Sequence, residues 1–211
     1  MARYTGSRTK LSKRVGKNLF LKGARSYSAK DDFSKKPTQR PGVHGAKRVR
    51  KVSEYGKQLV EKQILKYSYG ILEKQLANIF KKAFRKKGDT AINALIALES
   101  RLDNVVFRSG LANSRAQARQ LVAHGHFTVD GQKVNIPSFT VKAGEVIAVK
   151  DNKIKNPFWT AFKLEVPNQV PTWLDASTKN QIKVLNTPLE DDLPQDFKLP
   201  YIVEYYSRKV A

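Results

Sequence analysis

Two arginines four residues apart, Arg115 and Arg119, lie in the stretch NSRAQARQLVAHGHFTVDGQKV at 113–134. On a helix that spacing places them one turn apart on a shared face. A guanidinium is a planar fork of fixed donors, so two side by side suit a bidentate grip on phosphate oxygens. The same stretch carries His124 and His126 around Gly125, then Asp130-Gly131. Other chemistries are poorly served. The 211-residue chain has no cysteine, which excludes disulfides and thiol nucleophiles. Its 3 histidines are His44, His124 and His126. Structural zinc takes four N or S ligands in most sites, and the paired histidines have no third partner nearby. No glycine-rich phosphate loop and no Ser/His/Asp arrangement stands out.

The elements that must position these residues are short. Ser114 is placed to cap the arginine-bearing helix and Gly125 to end it. Ala118, Leu121 and Val122 form its apolar face, which fixes its rotation and is expected to turn Arg115 and Arg119 outward together. Side chains so exposed should cost under about 0.5 kcal/mol to remove. Asp130-Gly131 favours a type I′ hairpin, and FTVKAGEVIAVKD (139–151) is expected to add two short strands around Ala143-Gly144. Upstream, ESRLDNVVFRSG (99–110) places Leu102, Val105 and Val106 at helical spacing, leaving Arg101 and Arg108 on another side. Residues 100–165 therefore read as helix, helix and small sheet.

Before this unit the pattern is helical. Ser53 is placed to cap a helix that ends near Gly70. Leu72, Leu76, Ile79, Phe80 and Ala83 recur at helical spacing in a second helix closed by Gly88. Asp89 or Thr90 can cap a third, with Ile92, Leu95, Ile96 and Leu98 as core.

Charge narrows the partner. The formal net charge is +22, from 40 Lys and Arg against 18 Asp and Glu. An excess of that size repels itself unless an anion neutralises it, which points to nucleic acid or an anionic membrane surface. The balance is +14 over 1–52, +4 over 53–99, +5 over 100–165 and −1 over 166–211. The opening segment is also rich in Ser, Gly and Pro, as in KKPTQRPGVHG (35–45), and reads as an extended arm that orders on a polyanion. No run of about 18 apolar residues is present to span a bilayer. The N-terminus lacks the apolar centre of a signal peptide. The most basic part is not amphipathic, which argues against a membrane surface.

The stretch SRAQARQLVAHGHFTVDGQKVNIPSFTVKAGEVIAV resembles the small RNA-binding domain typical of the S-four family, that of the fourth protein of the small ribosomal subunit. MARYTG, PGVHG, SEYGKQLVEKQILKYSYGILEKQ, RLDNVVFRSGLANSRAQARQLV and the closing YIVEYYSR resemble the bacterial type of that family, in order, over most of 1–151 and the end. Within 152–200 the likeness is weaker apart from PTWL at 171–174.

The resemblance implies an α+β fold: a helical N-terminal domain with an extended basic arm, plus a small helix-helix-sheet RNA-binding domain. The expected divisions are an arm at 1–44, a helical rRNA-binding domain at 45–99, the S-four-type domain at 100–165, and an extension at 166–211 packing back on the helical domain. The implied function is structural: rRNA binding early in small-subunit assembly, in the 5′ domain, with an influence on mRNA entry and translational accuracy. The implied partners are small-subunit rRNA, neighbouring small-subunit proteins (for which the acidic LEDDLPQD at 189–196 suits a basic neighbour) and mRNA where it enters the subunit. No membrane partner and no cofactor is implied, and the expected location is the cytoplasmic small subunit. Some relatives hold zinc through four cysteines in the arm; this chain has none there. Charge and resemblance together give candidate RNA contacts: Arg3, Arg14, Lys47, Arg48 and Arg50, then Tyr55, Lys62 and Lys66, then Arg101, Arg108, Arg115 and Arg119. His124 and His126 join them as RNA-facing or turn residues.

Two other functions compete with this reading. RLDNVVFRSGL is similar to the segment around the catalytic aspartate of pseudouridine synthases, which would make Asp103 the candidate. The glycine falls seven residues after the aspartate rather than about five, and 60 residues after 151 are too few for a catalytic domain. A non-ribosomal RNA-binding or chaperone protein would share the module but not YGKQLVEKQ or YIVEYYSR.

Overall fold

A computed structural model describes residues 4–36, 39–45, 51–167, 169–178 and 180–210. They fall in two compact units, Met1–Ala94 with Pro194–Ala211, and Leu95–Leu193.

The first unit is helical: α1 (Arg8–Val15), α2 (Asp32–Lys35), α3 (Glu54–Ser68), α4 (Glu73–Arg85), the start of α5 (Thr90–Glu99), and the last helix of the chain (Leu199–Val210). The Ser53 side chain accepts a hydrogen bond from the Gly56 amide at 3.2 Å, capping α3. Asp89 rather than Thr90 caps α5, its Oδ1 accepting from the amides of Ala91 and Ile92 at 2.6 and 3.2 Å. Leu76, Phe80 and Ala83 form the buried stripe of α4. The last helix buries Ile202, Tyr205 and Tyr206 and packs on α3 and α4. The Tyr206 ring stacks on Phe80 at 4.6 Å, and its hydroxyl donates to Glu73 Oε1 at 2.9 Å.

The sequence reading expected an extended basic arm, but its described part is folded. It forms α1, a turn of 3-10 helix at Gly23–Tyr27, and α2. Leu11 and Leu19 are buried and α1 packs on α2 and α3. Two leucines and a left-handed Gly16 at the end of α1 thus give a basic segment enough apolar contact and a clean stop to fold locally.

The second unit opens with the end of α5, then α6 (Leu102–Arg108) and α7 (Arg115–Ala123). Its antiparallel sheet comprises β1 (Phe127–Val129), β2 (Gln132–Lys133), β3 (Val146–Val149), β4 (Leu174–Asp175) and β5 (Gln181–Val184), in spatial order β2-β1-β3-β5-β4. Short helices α8 (Asp151–Ile154) and α9 (Pro157–Ala161) follow β3, and the helix closing the chain is then α10. Phe127, Val129, Ile147, Val149, Ile182 and Val184 alternate inward along the strands to meet Leu102, Val105, Val106, Ala118, Leu121 and Val122 of the helix pair. Val129 pairs with Gln132, so Asp130-Gly131 is a two-residue turn; φ of +46° and +78° makes it type I′.

Two sequence expectations fail here. Only one strand follows Pro137 in that stretch. Phe139 and Val141 spend their hydrogen bonds on the chain entering α6: the Leu102 amide donates to the Phe139 carbonyl at 2.9 Å, and the Val141 amide to the Ser100 carbonyl at 2.8 Å. The division at 165/166 also shifts. β4 and β5 lie within 166–193 and complete the sheet through β3–β5 pairing, so only 194–211 joins the helical unit. Among the described residues no helix is long and apolar enough to cross a membrane.

Candidate nucleic-acid interface

In the second unit the arginines converge on two acids. Glu99 at the end of α5 and Asp103 in the first turn of α6 are 1% and 5% exposed. A buried carboxylate is costly unless paired and hydrogen-bonded. Arg101 meets Asp103 side by side, Nε to Oδ1 at 3.1 Å and an Nη to Oδ2 at 3.0 Å. From α7, Arg119 donates Nη1 to the same Oδ2 at 3.1 Å. Glu99 receives the fork of Arg108 through both oxygens at 3.0 Å and the Asn104 amide at 2.8 Å. Asn104 in turn accepts from Arg115 Nε at 2.7 Å, and an Nη of Arg115 lies 4.0 Å from Glu99. The Arg115 guanidinium also lies over the Phe107 ring at 4.7 Å. Four cations thus surround two anions, leaving the cluster with an excess of positive charge.

This corrects the expectation that the arginines stand free. Ser114 does cap α7, accepting from the Gln117 amide at 3.2 Å, and Ala118, Leu121 and Val122 are its buried face. That rotation carries Arg115 and Arg119 toward α6, not away from it, because α6 offers the Asn104 amide oxygen and the buried Asp103 carboxylate there. Arg101 is itself buried and acts as a tie within the fold. The side chains of Arg108 and Arg115 keep 22% of their surface exposed and Arg119 keeps 12%, so these three are partly available from outside.

The two histidines part company. His124 is exposed at the end of α7. His126 is buried, and its Nδ1 accepts from Trp159 Nε1 at 2.9 Å, so the RNA-facing expectation fails for it. Burial, helped by the charges of Lys153 and His124, holds its imidazole below the usual histidine value. The folded form therefore binds its proton less readily than the unfolded chain. This contribution to stability is complete above the unfolded value of about 6.5 and declines as pH falls from there toward the lowered folded value. Urea midpoints of wild type should fall between about pH 7.5 and 5.5, and His126→Gln should show a smaller fall. Equal falls in both proteins would show that His126 does not contribute.

In the first unit the expected contacts on α3 are similarly engaged. Lys62 is 2% exposed, so it cannot present its charge to an outside partner as the sequence reading expected. Its Nζ donates to Glu73 Oε2 at 2.8 Å and sits 5.0 Å from the centre of the Tyr205 ring. Lys66, partly exposed, donates to the same oxygen at 3.1 Å. Burial would raise the Glu73 carboxyl, but hydrogen bonds from Lys62, Tyr206 and Lys66 outweigh it and hold the group below the usual carboxylate range. The reason for these contacts is the arrival of α10, which covers Lys62 and supplies both tyrosines. Tyr55 and Arg14 are exposed. Arg3, Lys47, Arg48 and Arg50 lie outside the described residues.

The sequence places Lys74, Lys81, Lys82 and Arg85 off the apolar stripe of α4 without marking them as contacts, and it gives no role to two further residues. Lys74, Asn78, Lys81, Lys82 and Arg85 are all exposed on α4, opposite Leu76, Phe80 and Ala83. Their spacing is one stripe about 16 Å long at 1.5 Å per residue. Among the described residues none of its four cations makes an ion pair. The helical period that located the core stripe of α4 also located this one. The missed residues are Glu99 and Asn104, whose only signal was proximity in sequence to Arg101 and Asp103.

The geometry therefore offers a cationic helix face in one unit and an acid-held arginine cluster in the other, both suited to a phosphate backbone. Comparison with known proteins matches a family model to each part of the chain. Residues 3–99 match the model of the ribosomal protein S4/S9 N-terminal domain, and residues 100–147 match that of the S4 domain. The chain is 49% identical over 212 aligned residues to small ribosomal subunit protein uS4 of Polaromonas naphthalenivorans, covering 99% of this chain and 100% of the relative. It is 46% identical over 210 aligned residues to uS4 of Ruminiclostridium cellulolyticum, with 99% and 100% covered. With both domain models matched in order and this identity sustained across 99% of its length, the chain belongs to the ribosomal protein S4 family.

Proposed function

We propose that this chain is a structural, rRNA-binding component of the small ribosomal subunit, working in cytoplasmic ribosomes and catalysing no reaction. The observation that carries this reading is the near-complete alignment, 99% of the chain, with relatives named as small ribosomal subunit proteins. The net charge of +22 supports a polyanionic partner. Within that role we place its binding early in assembly, in the 5′ domain of the rRNA, beside neighbouring subunit proteins and near where mRNA enters, with an influence on decoding accuracy. The contacts we assign are Arg14, Tyr55, Lys66, Arg108, Arg115, Arg119 and His124, joined by the α4 stripe. Arg3, Lys47, Arg48 and Arg50 are assigned on charge and resemblance alone. Sucrose-gradient fractionation of a lysate tests the role. The chain should sediment with small subunits, and ultraviolet crosslinking should map it to the 5′ domain. Recovery only at the top of the gradient, with assembled small subunits elsewhere, would sink it.

A further inference from the structure

We infer that Glu99 and Asp103, although they are anions in a protein that binds an anion, are positioning residues for RNA recognition. This rests on the rRNA-binding reading above. Removing an acid from a polyanion-binding protein should, by charge alone, tighten binding. The geometry points the other way. Asp103 is buried, and its Oδ2 holds both Arg101 at 3.0 Å and Arg119 at 3.1 Å. Arg101 is locked by two hydrogen bonds and fixes the carboxylate in turn. Asp103 therefore orients the α7 arginine across the gap between α6 and α7.

Among the described residues Asp103 is the only hydrogen-bond or ion-pair partner of Arg119. A guanidinium carries five N–H donors, and Arg119 gives one of them to Asp103. The rest of the fork, on a side chain that still reaches the surface, is held in one orientation. Glu99 does the same for Arg108 directly and for Arg115 through Asn104. A free arginine loses rotamer entropy when it grips a phosphate; one already held loses less. Partial neutralisation of the arginines is the cost of that order, and the excess of cations over anions leaves the cluster attractive to phosphate.

The test separates charge from position. Affinities for a transcript of the rRNA 5′ domain are measured at physiological salt for wild type, Asp103→Glu, Asp103→Asn, Arg119→Gln and the double variant Asp103→Glu/Arg119→Gln. A melting curve for each sets a temperature at which all are folded. Asp103→Glu keeps every charge and moves the carboxylate by one methylene, so it should bind several-fold more weakly. Asp103→Asn should bind about tenfold more weakly, although it raises the net charge. In an Arg119→Gln background, Asp103→Glu should have little further effect. If Asp103→Asn does not fold, the charge-conserving variant and its cycle decide. Asp103→Glu binding like wild type, Asp103→Asn binding more tightly, or an undiminished Asp103→Glu effect without Arg119 would each overturn the inference alone. Wild type failing to bind the transcript would overturn the RNA-binding reading itself.

Discussion

Raising monovalent salt from about 50 to 200 mM should weaken binding to small-subunit rRNA by roughly 10³-fold or more, as expected when six or more phosphates are neutralised. The positive excess is unevenly distributed: +14 falls within 1–52, and four exposed cations without described ion-pair partners line α4. Those charges act by releasing counterions from the RNA. Arginines already facing Glu99 and Asp103 contribute less to that release, because part of their charge is balanced within the protein. Replacing Lys81, Lys82 and Arg85 together with alanine should therefore reduce the log–log slope by about 2–3 units, near one per phosphate contact. The fold should tolerate this, since all three are exposed on the side of α4 opposite its buried stripe. Filter binding across a salt series measures both effects. A slope shallower than about 2 for wild type would mean that few phosphates are contacted and that the charge serves something else.

Arg101→Ala should destabilise the protein by about 3–5 kcal/mol, the usual result of removing one partner from a buried ion pair. Both side chains are 6% exposed, so water cannot replace the lost guanidinium. Arg119→Ala should cost less, about 1–3 kcal/mol, because Arg101 would still hold Asp103. Leu121→Ala, a cavity in the apolar face of α7, should cost about 2–5 kcal/mol. The sequence alone led to a different expectation, that removing Arg115 and Arg119 would be nearly neutral. Urea denaturation followed by circular dichroism distinguishes the two. An Arg101→Ala midpoint equal to that of wild type would show that Arg119 alone compensates the buried Asp103 carboxylate.

How much was legible beforehand follows the range of each interaction. Ser53, Ser114, Asp89, Gly125 and Asp130-Gly131 act on backbone within a few residues, and each does in the fold what its type and place suggested. The buried faces of α4 and α7 were legible for the same reason, since a helical period is a local property. The basic arm misled because net charge was weighed above Leu11 and Leu19, whose burial depends on what the rest of the first unit brings to them.

Motifs, caps, periods and charge are all written along the chain, and they were enough for the family, for α3 to α7, for the hairpin and for a polyanionic partner. The tertiary structure alone decided which cations are free and which are held. Lys62 lost its exposure to a helix that begins at Leu199, and Arg119 was drawn to an acid 16 residues away. Both outcomes depend on how helices cross. A crossing sets which side chains share a low-dielectric space, and there a carboxylate takes the nearest cation instead of leaving it to solvent.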